Sequence, residues 1–195
     1  MDIHFDSIDV ASRVIYFAQE DDDDCCVGPK STIKLIKNID YLNTLNKRPI
    51  TIKMISCDGG SWDYCLSICD AIKNSRAPVD IEATGLTASS GSVILQMGRK
   101  RRIGSYSSFM IHCGSLYYEG YSISAESTAA ANKLEHQKML NMYAERCQNG
   151  EFFKSGKYSF SRIKGYLDTK MKNKGDWYLR SPEEVVYYGF ADEVM

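Results

Sequence analysis

The spacing of apolar residues along this chain alternates between two patterns. The segments between short apolar runs repeat apolar residues every three or four positions, as at Leu35, Ile39 and Leu42, and this spacing predicts helices. The short runs are rich in β-branched and aromatic residues, which predicts strands. These runs are residues 13–17 (RVIYF), 50–56 (ITIKMIS), 79–84 (VDIEAT) and 109–112 (FMIH).

Helix-capping residues indicate where the helices begin. Ser31 or Thr32 is placed to cap the first helix and Ser61 the second. Further helices are predicted at 92–97, after a loop over 85–91, and at about 125–147, 158–170 and 181–189, the last with Ser, Pro and Glu in capping positions. The alternation predicts one α/β domain over residues 1–195 with right-handed crossovers.

Composition narrows the possible function classes. The chain has 24 Lys and Arg against 25 Asp and Glu, a formal net charge of −1, which argues against a protein that mainly binds nucleic acid. No run approaches the roughly 18–20 apolar residues of a membrane helix, so no membrane partner is expected. The basic segment 99–102 (RKRR) is interpreted as a solvated hairpin, and the aspartates at 21–24 as an exposed loop.

The cysteines and the N-terminus suggest the compartment. The seven cysteines are scattered through apolar segments, as buried thiols in a reducing environment are, and no C-x-x-C pair predicts a zinc site. The N-terminal segment has neither the basic nor the apolar region of a secretory signal. We therefore expect a cytoplasmic protein with no metal or other cofactor.

Two glycine-rich turns stand where a predicted strand leads into a helix, at 59–60 and at 89–91. Amide groups in the first turn of a helix lack internal partners and carry partial positive charge. Two such groups that converge form an oxyanion hole, and a serine at the same turn can act as a nucleophile. Spacing alone does not separate Ser89, Ser90 and Ser92 in that role.

A nucleophilic serine needs a base, and His112 at the end of the strand 109–112 is the candidate. His136 lies in a long, mostly polar helix and is not favoured. Each residue also has an ordinary structural interpretation, because a serine at a helix start caps it and a histidine after an apolar strand can belong to the core. The sequence lacks G-x-G-x-x-G, H-E-x-x-H and G-x-S-x-G motifs.

Five blocks taken in order resemble the family of Clp protease proteolytic subunits. They are RVIYF, ITIKMISCDGGSWDYCLSICDAIKNS, GLTASSGSVILQMG, SSFMIH and SPEEVVYYGFADEV, which cover about residues 13–113 and 176–195. The blocks resemble the divergent, virus- or phage-type members of the family more than the housekeeping bacterial enzyme. The resemblance implies a ClpP/crotonase-type α/β fold, a spiral of β-β-α units with a protruding handle helix within about 114–150.

The resemblance also implies a serine endopeptidase. The family's A-S-x-G block falls on residues 88–91, so Ser89 is the expected nucleophile, and the M-I-H block makes His112 the expected base. Gly60 and Ser90 would donate backbone N–H groups to the oxyanion.

The third triad member is expected just before the last helix. Asp176 is the choice and Asp168 the alternative, because DWYLRSPEEV has one residue more than the family's D-x-x-L-S-A-E-E block. The family's S-P-G-G turn has lost its proline here, and Asp58 lies near the expected oxyanion hole. Asp192 is expected to be structural.

The resemblance further implies peptide or unfolded-protein substrates and a homo-oligomer, as a heptameric ring or a double ring. An AAA+ unfoldase is a family partner, but the N-terminal segment is shorter than the family's axial loop. Tyr117, Tyr118 and Tyr121 favour an assembly contact over a substrate groove. The alternatives are a non-catalytic ring subunit and an acyl-CoA enzyme of the crotonase superfold, which would use Glu or Asp groups without a Ser–His pair.

Overall fold

A mixed sheet of eight strands runs through the part of the chain that this computed structural model describes, residues 6–20, 23–114 and 121–195. Strands β2 to β5 are parallel neighbours, β8 extends the sheet beyond β5, and β1 pairs antiparallel with β2. The strands are β1 (Ile8–Asp9), β2 (Val14–Phe17), β3 (Ile50–Cys57), β4 (Val79–Ala88), β5 (Arg101–Ile103), β6 (Ser108–Ile111), β7 (Trp177–Tyr178) and β8 (Glu193–Val194).

Helices connect most of these strands, so the α/β prediction is confirmed. They are α1 (Pro29–Leu45), α2 (Trp62–Lys73), α3 (Ser90–Leu95), α4 (Ser122–Cys147), α5 (Glu151–Ser155), α6 (Phe160–Lys174) and α7 (Pro182–Tyr188). Buried apolar side chains from the strands and helices form one contiguous core. Helix α4 occupies the segment where the handle was expected. Leu134 in its first half is 65% exposed, whereas Tyr143 near its end is buried.

On its edge away from β3, strand β4 pairs first with one strand and then with another, and this division positions the candidate site. Its first part pairs with β5, with Ile81 opposite Arg101, and its last residues pair with β6, with Ala88 opposite Met110. Both pairings are parallel, so the carboxyl ends of β4 and β6 lie side by side. The residues that follow each strand therefore emerge at the same edge of the sheet.

The loop predicted over 85–91 is wrong in its first part, because β4 continues to Ala88. Gly85 has φ +70° and lies against Ser56 of β3, which has φ +46°. The register of β3 and β4 shifts at this point, and pairing resumes with Cys57 opposite Thr87. Two matched kinks thus let the strand continue past a glycine that resembles a loop residue in the sequence.

Helix α1 begins earlier than predicted, so the assignment of Ser31 or Thr32 as its cap is wrong. Gly28 is the N-cap residue and Pro29 the first helical residue. Ser31 is at the third position, where its Oγ accepts a hydrogen bond from Gly28 N (3.1 Å). The Asp23 carboxylate accepts from Ser31 N (3.0 Å), so one aspartate of the acidic run stabilises the helix start.

Other helix ends show which capping patterns were informative. Both helix starts are confirmed: Ser61 is the N-cap residue of α2, although its side chain forms no capping hydrogen bond, and Ser181 accepts a hydrogen bond from the amide of Glu184 at the start of α7. The helix predicted at about 158–170 is confirmed as α6, with ends that differ by two to four residues, whereas the short helix α5 before it was not predicted. Ser159 caps α6, accepting from Arg162 N.

The basic segment is not a solvated hairpin, and this prediction is wrong. Arg101 lies in β5 and is 2% exposed. Its guanidinium forms an ion pair with Asp192 and donates to the carbonyl oxygen of Gly189 (2.8 Å). Arg99 pairs with Asp80 and Arg102 with Glu82. The charge of Arg101 is therefore satisfied inside the fold, whereas Arg99 and Lys100 at the start of the segment are exposed.

Several remaining expectations concern single residues or segments. The predicted burial of most cysteines is confirmed, since Cys26, Cys57, Cys65, Cys69 and Cys147 are buried. No helix among the described residues combines the length and apolar character needed to cross a membrane. Tyr117, Tyr118 and the first two aspartates of the acidic run lie outside the described residues.

Candidate active site

Ser89 stands between the end of β4 and the first residue of α3. Its backbone has φ +51° and ψ −127°, a conformation that L-residues rarely adopt. Ser89 N donates to the carbonyl oxygen of Met110 in β6 (3.2 Å), which ties this turn to the neighbouring strand. A strained residue held by its surroundings is typical of functional sites.

His112 follows β6 and lies beside this serine. Its Nε2 is 2.7 Å from the Oγ of Ser89, and its Nδ1 is 3.0 Å from an Oδ1 oxygen of Asp176. The His112 side chain is 22% exposed and that of Asp176 is 58% exposed. The three groups therefore form a continuous chain of hydrogen bonds from carboxylate to imidazole to hydroxyl.

The register of β6 and β7 explains why Asp176 reaches His112. The two strands are antiparallel, with Ile111 opposite Trp177. One further step in that register places residue 112 opposite residue 176. The structure thus brings Asp176, and not Asp168, to the imidazole.

The turn at Gly59 and Gly60 lies against the serine. Both glycines have positive φ, +113° and +140°. A Cβ atom on Gly59 would be 2.7 Å from the Cβ of Ser89 and 3.1 Å from its Oγ, so the close approach requires glycine. Val27 pairs with this turn through Val27 N to Gly59 O (2.8 Å) and Ser61 N to Val27 O (3.0 Å).

Two backbone amides at this junction have no acceptor among the described residues, those of Gly60 and Ser90. Ser90 is the first residue of α3, where amides lack intrahelical partners. The Ser90 Oγ donates to the carbonyl oxygen of Gly60 (3.0 Å), which holds the two turns together. The amides of the two expected oxyanion-hole residues therefore remain available to a ligand.

Asp58, which the sequence places near these amides, is exposed. One of its carboxylate oxygens accepts a long hydrogen bond from the backbone N of Cys26 (3.4 Å). This weak contact places the acidic group near the segment before α1.

A cleft of about 490 Å³ opens over the Ser89–His112 pair. Helix α4 forms one of its walls through Glu135, His136 and Met139. Trp62 at the start of α2 lies across the cleft and donates its Nε1–H to Glu135 (3.0 Å). The cleft thus joins the serine turn, the end of β6 and the handle segment.

His136 and Asp168 form a second pair that sequence reasoning missed. His136 Nε2 is 2.7 Å from Asp168 Oδ1, and Lys172 Nζ is 2.7 Å from Asp168 Oδ2. Partial burial by itself would raise the pKa of Asp168, but the hydrogen bonds from Lys172 and His136 outweigh it and lower that pKa. Because the two residues lie 32 positions apart on different helices, no local pattern could have found the pair.

Comparison with known proteins gives a consistent match. A model of the family described as Clp protease matches residues 10–195. The ATP-dependent Clp protease proteolytic subunit of Deinococcus radiodurans is 27% identical over 143 residues, which cover 72% of this chain and 62% of that protein. ATP-dependent Clp protease proteolytic subunit 1 of Chlamydia trachomatis serovar D is 31% identical over 119 residues, covering 60% and 57%. The corresponding Chlamydia abortus protein is 34% identical over 107 residues, covering 54% and 53%. The chain thus matches a little more than half the length of these curated relatives.

Proposed function

Because this chain belongs to the Clp protease family, we propose that it is a serine endopeptidase with Ser89 as nucleophile, His112 as general base and Asp176 as the orienting carboxylate. One observation carries the proposal: Ser89 Oγ, the two nitrogens of His112 and Asp176 Oδ1 are joined by contacts of 2.7 and 3.0 Å. A serine, an imidazole and a carboxylate in this order define a catalytic triad by geometry, whatever their order along the chain.

The geometry accommodates acyl transfer in two steps. In the first, the Ser89 Oγ attacks the scissile carbonyl carbon while His112 Nε2 takes the hydroxyl proton. The C–N bond then breaks as His112 returns that proton to the leaving amine, which leaves an acyl ester on Ser89. In the second, His112 takes a proton from water and the resulting hydroxide attacks the ester carbon. The bond between that carbon and Ser89 Oγ then breaks as His112 returns the proton to Oγ, which releases the peptide acid.

Negative charge develops on the carbonyl oxygen in both steps. We assign its stabilisation to the amides of Gly60 and Ser90, which have no acceptor among the described residues. Fixed N–H donors of this kind contribute more to the transition state than to the substrate, and loss of one costs about 10²–10³ in kcat. An extended substrate beside Gly59 and Gly60 would add main-chain hydrogen bonds.

The test of the nucleophile uses a fluorogenic peptide and a fluorophosphonate probe. Ser89→Ala should abolish covalent labelling and peptide hydrolysis while its circular dichroism spectrum stays that of the wild type. Ser155→Ala, an exposed serine in α5, is the matched control and should label and turn over normally. Peptide hydrolysis by Ser89→Ala at the wild-type rate would refute the assignment. A wild-type chain that never labels would instead support the non-catalytic subunit or the acyl-CoA enzyme.

We also propose that the chain is a subunit of a homo-oligomer that cleaves peptides or unfolded proteins. The oligomer would be a seven-membered ring, either single or stacked as a double ring. The names of the relatives describe each of them as an ATP-dependent proteolytic subunit. Exposed apolar side chains such as Ile33 (52%) and Leu45 (46%) on α1 and Leu134 (65%) on α4 support an assembly surface. A solution mass far above the 22.0 kDa of one chain is expected. A monomer at assay concentration would contradict the ring, and stimulation by an AAA+ unfoldase with ATP would test that partner.

A further inference from the structure

A thiol, an imidazole and a carboxylate meet beside the proposed triad. Cys113 follows β6, His136 lies on α4 and Asp168 lies on α6. The Sγ of Cys113, a ring nitrogen of His136 and a carboxylate oxygen of Asp168 all lie within 4.8 Å of one another. Three separate elements therefore deliver three different metal-binding groups to one place.

We propose that Cys113, His136 and Asp168 bind a zinc ion. Thiolate, imidazole and carboxylate are the three side-chain ligands that zinc takes in proteins, at about 2.0–2.3 Å. In a tetrahedral site such ligands lie roughly 3.3–3.7 Å apart. The ligand atoms, which lie at most 4.8 Å apart, therefore need shifts on the order of 1 Å or less to reach that geometry: the longer distances must shorten, and the 2.7 Å distance from His136 to Asp168 must widen.

Two of the ligands are already held in the required orientation. His136 Nε2 faces Asp168 Oδ1 at 2.7 Å, so a metal ion would take the place of the hydrogen between them. Lys172 holds the other oxygen, Oδ2, at 2.7 Å and leaves Oδ1 turned toward the imidazole. Partners that orient a ligand in this way commonly contribute about 10–100-fold to metal affinity.

The exposed surface of the three ligand side chains gives a metal ion access to this site. The side chains of His136 and Asp168 are 18% and 24% exposed, whereas Cys113 is exposed. Cys113 and His136 both line the cleft over Ser89, so solvent reaches the site. Three protein ligands leave one zinc position open, and a water molecule from the cleft can fill it.

The His136–Asp168 contact alone could be a salt bridge that joins α4 to α6. The additional thiol changes the chemistry, because a sulfur ligand favours zinc over calcium and magnesium. Cys113 is also the residue directly after His112, so an ion bound there would anchor the end of β6 to both helices. The proposal concerns metal binding and does not depend on peptidase activity.

The experiment titrates the metal-free full-length chain with Co²⁺, which gives a thiolate-to-metal absorption band, and then displaces Co²⁺ with Zn²⁺. The wild type should develop the band with one equivalent, and Zn²⁺ should abolish it. Cys113→Ser should lose the band, and His136→Asn and Asp168→Asn should each weaken Zn²⁺ binding about tenfold or more. Cys25→Ser, at a partly exposed thiol outside the cluster, is the matched control and should bind as the wild type does.

A second readout uses the thiol itself. Zn²⁺ should slow alkylation of Cys113, measured by mass spectrometry of the modified peptide, and should leave alkylation of Cys25 unchanged. His112→Ala should keep both signals, because the triad imidazole is not a ligand. The proposal is overturned if the wild type gives no cobalt band and no zinc protection, or if Cys113→Ser binds as tightly as the wild type.

Discussion

Replacement of Gly59 by alanine tests whether the glycine turn positions the proposed nucleophile, Ser89. An alanine Cβ would lie 2.7 Å from the Cβ of Ser89, about 0.3–0.7 Å closer than side-chain contacts allow, and 3.0 Å from Ser90 N. The backbone φ of +113° would add strain of about 1–3 kcal/mol, because L-residues avoid this region. Either the turn or the serine must move by several tenths of an ångström.

Such a displacement should be more costly for catalysis than for folding. A misplacement of about 1 Å can reduce a rate about 10²-fold, so Gly59→Ala should label with fluorophosphonate about 10–100 times more slowly than the wild type. The strain should lower Tm by only about 2–12 °C in a chain of this size. Stopped labelling reactions and thermal melts on the same samples measure both quantities.

The matched control is Gly165→Ala in α6, where an added Cβ has no atom within 4 Å. This substitution should stabilise the helix by about 0.5–1 kcal/mol and leave labelling unchanged. Labelling of Gly59→Ala at the wild-type rate, with a normal melting curve, would refute the view that this turn holds Ser89 in place.

Two further substitutions test the carboxylate of the proposed triad and the buried arginine. Asp176→Asn should reduce kcat about 10²–10⁴-fold with little change in KM, because the amide no longer fixes the imidazole tautomer that presents a lone pair to Ser89. Asp168→Asn is its control in steady-state peptide assays on the metal-free protein, and an equal loss in both variants would contradict the assignment. Arg101→Met should destabilise the fold by about 2–4 kcal/mol in urea titrations, since it removes the guanidinium that pairs with Asp192 and donates to the carbonyl of Gly189. Arg99→Met, whose side chain is 47% exposed, should cost about 1 kcal/mol or less, and a similar loss at both positions would contradict a special role for Arg101.

Local sequence patterns predicted the elements that depend on local physics. Alternating strand and helix spacings predicted the α/β class. The resemblance of five sequence blocks to Clp proteases is confirmed by the family match. The capping pattern at Ser181 predicted the start of α7, because the cap and its acceptor lie three residues apart. At this helix the pattern and the contact share one short segment, so the sequence was sufficient.

Two predictions that failed, and one choice that the sequence left open, depend on residues far apart in the chain. Arg101 is charged and lies in a basic run, yet its ion-pair partner Asp192 and the carbonyl of Gly189 are about 90 residues away, so its burial could not be predicted from the local sequence. β4 continues past Gly85 only because β3 has a matching kink. The choice between Asp176 and Asp168 depended on the register of a two-residue strand, which no periodicity can reveal.

The shortness of β7 has a consequence for how activity would fail on heating. Asp176, whose carboxylate contacts His112, directly precedes β7, which pairs with β6 through only two residue pairs and forms a short ribbon with it. Ser89, in contrast, follows the ten-residue strand β4. Peripheral segments with few pairs detach at lower free energy than central strands. Detachment of this ribbon would remove the hydrogen bond from Asp176 that orients the His112 imidazole, while the strands around Ser89 stay folded. Inactivation by heat should therefore precede the loss of secondary structure.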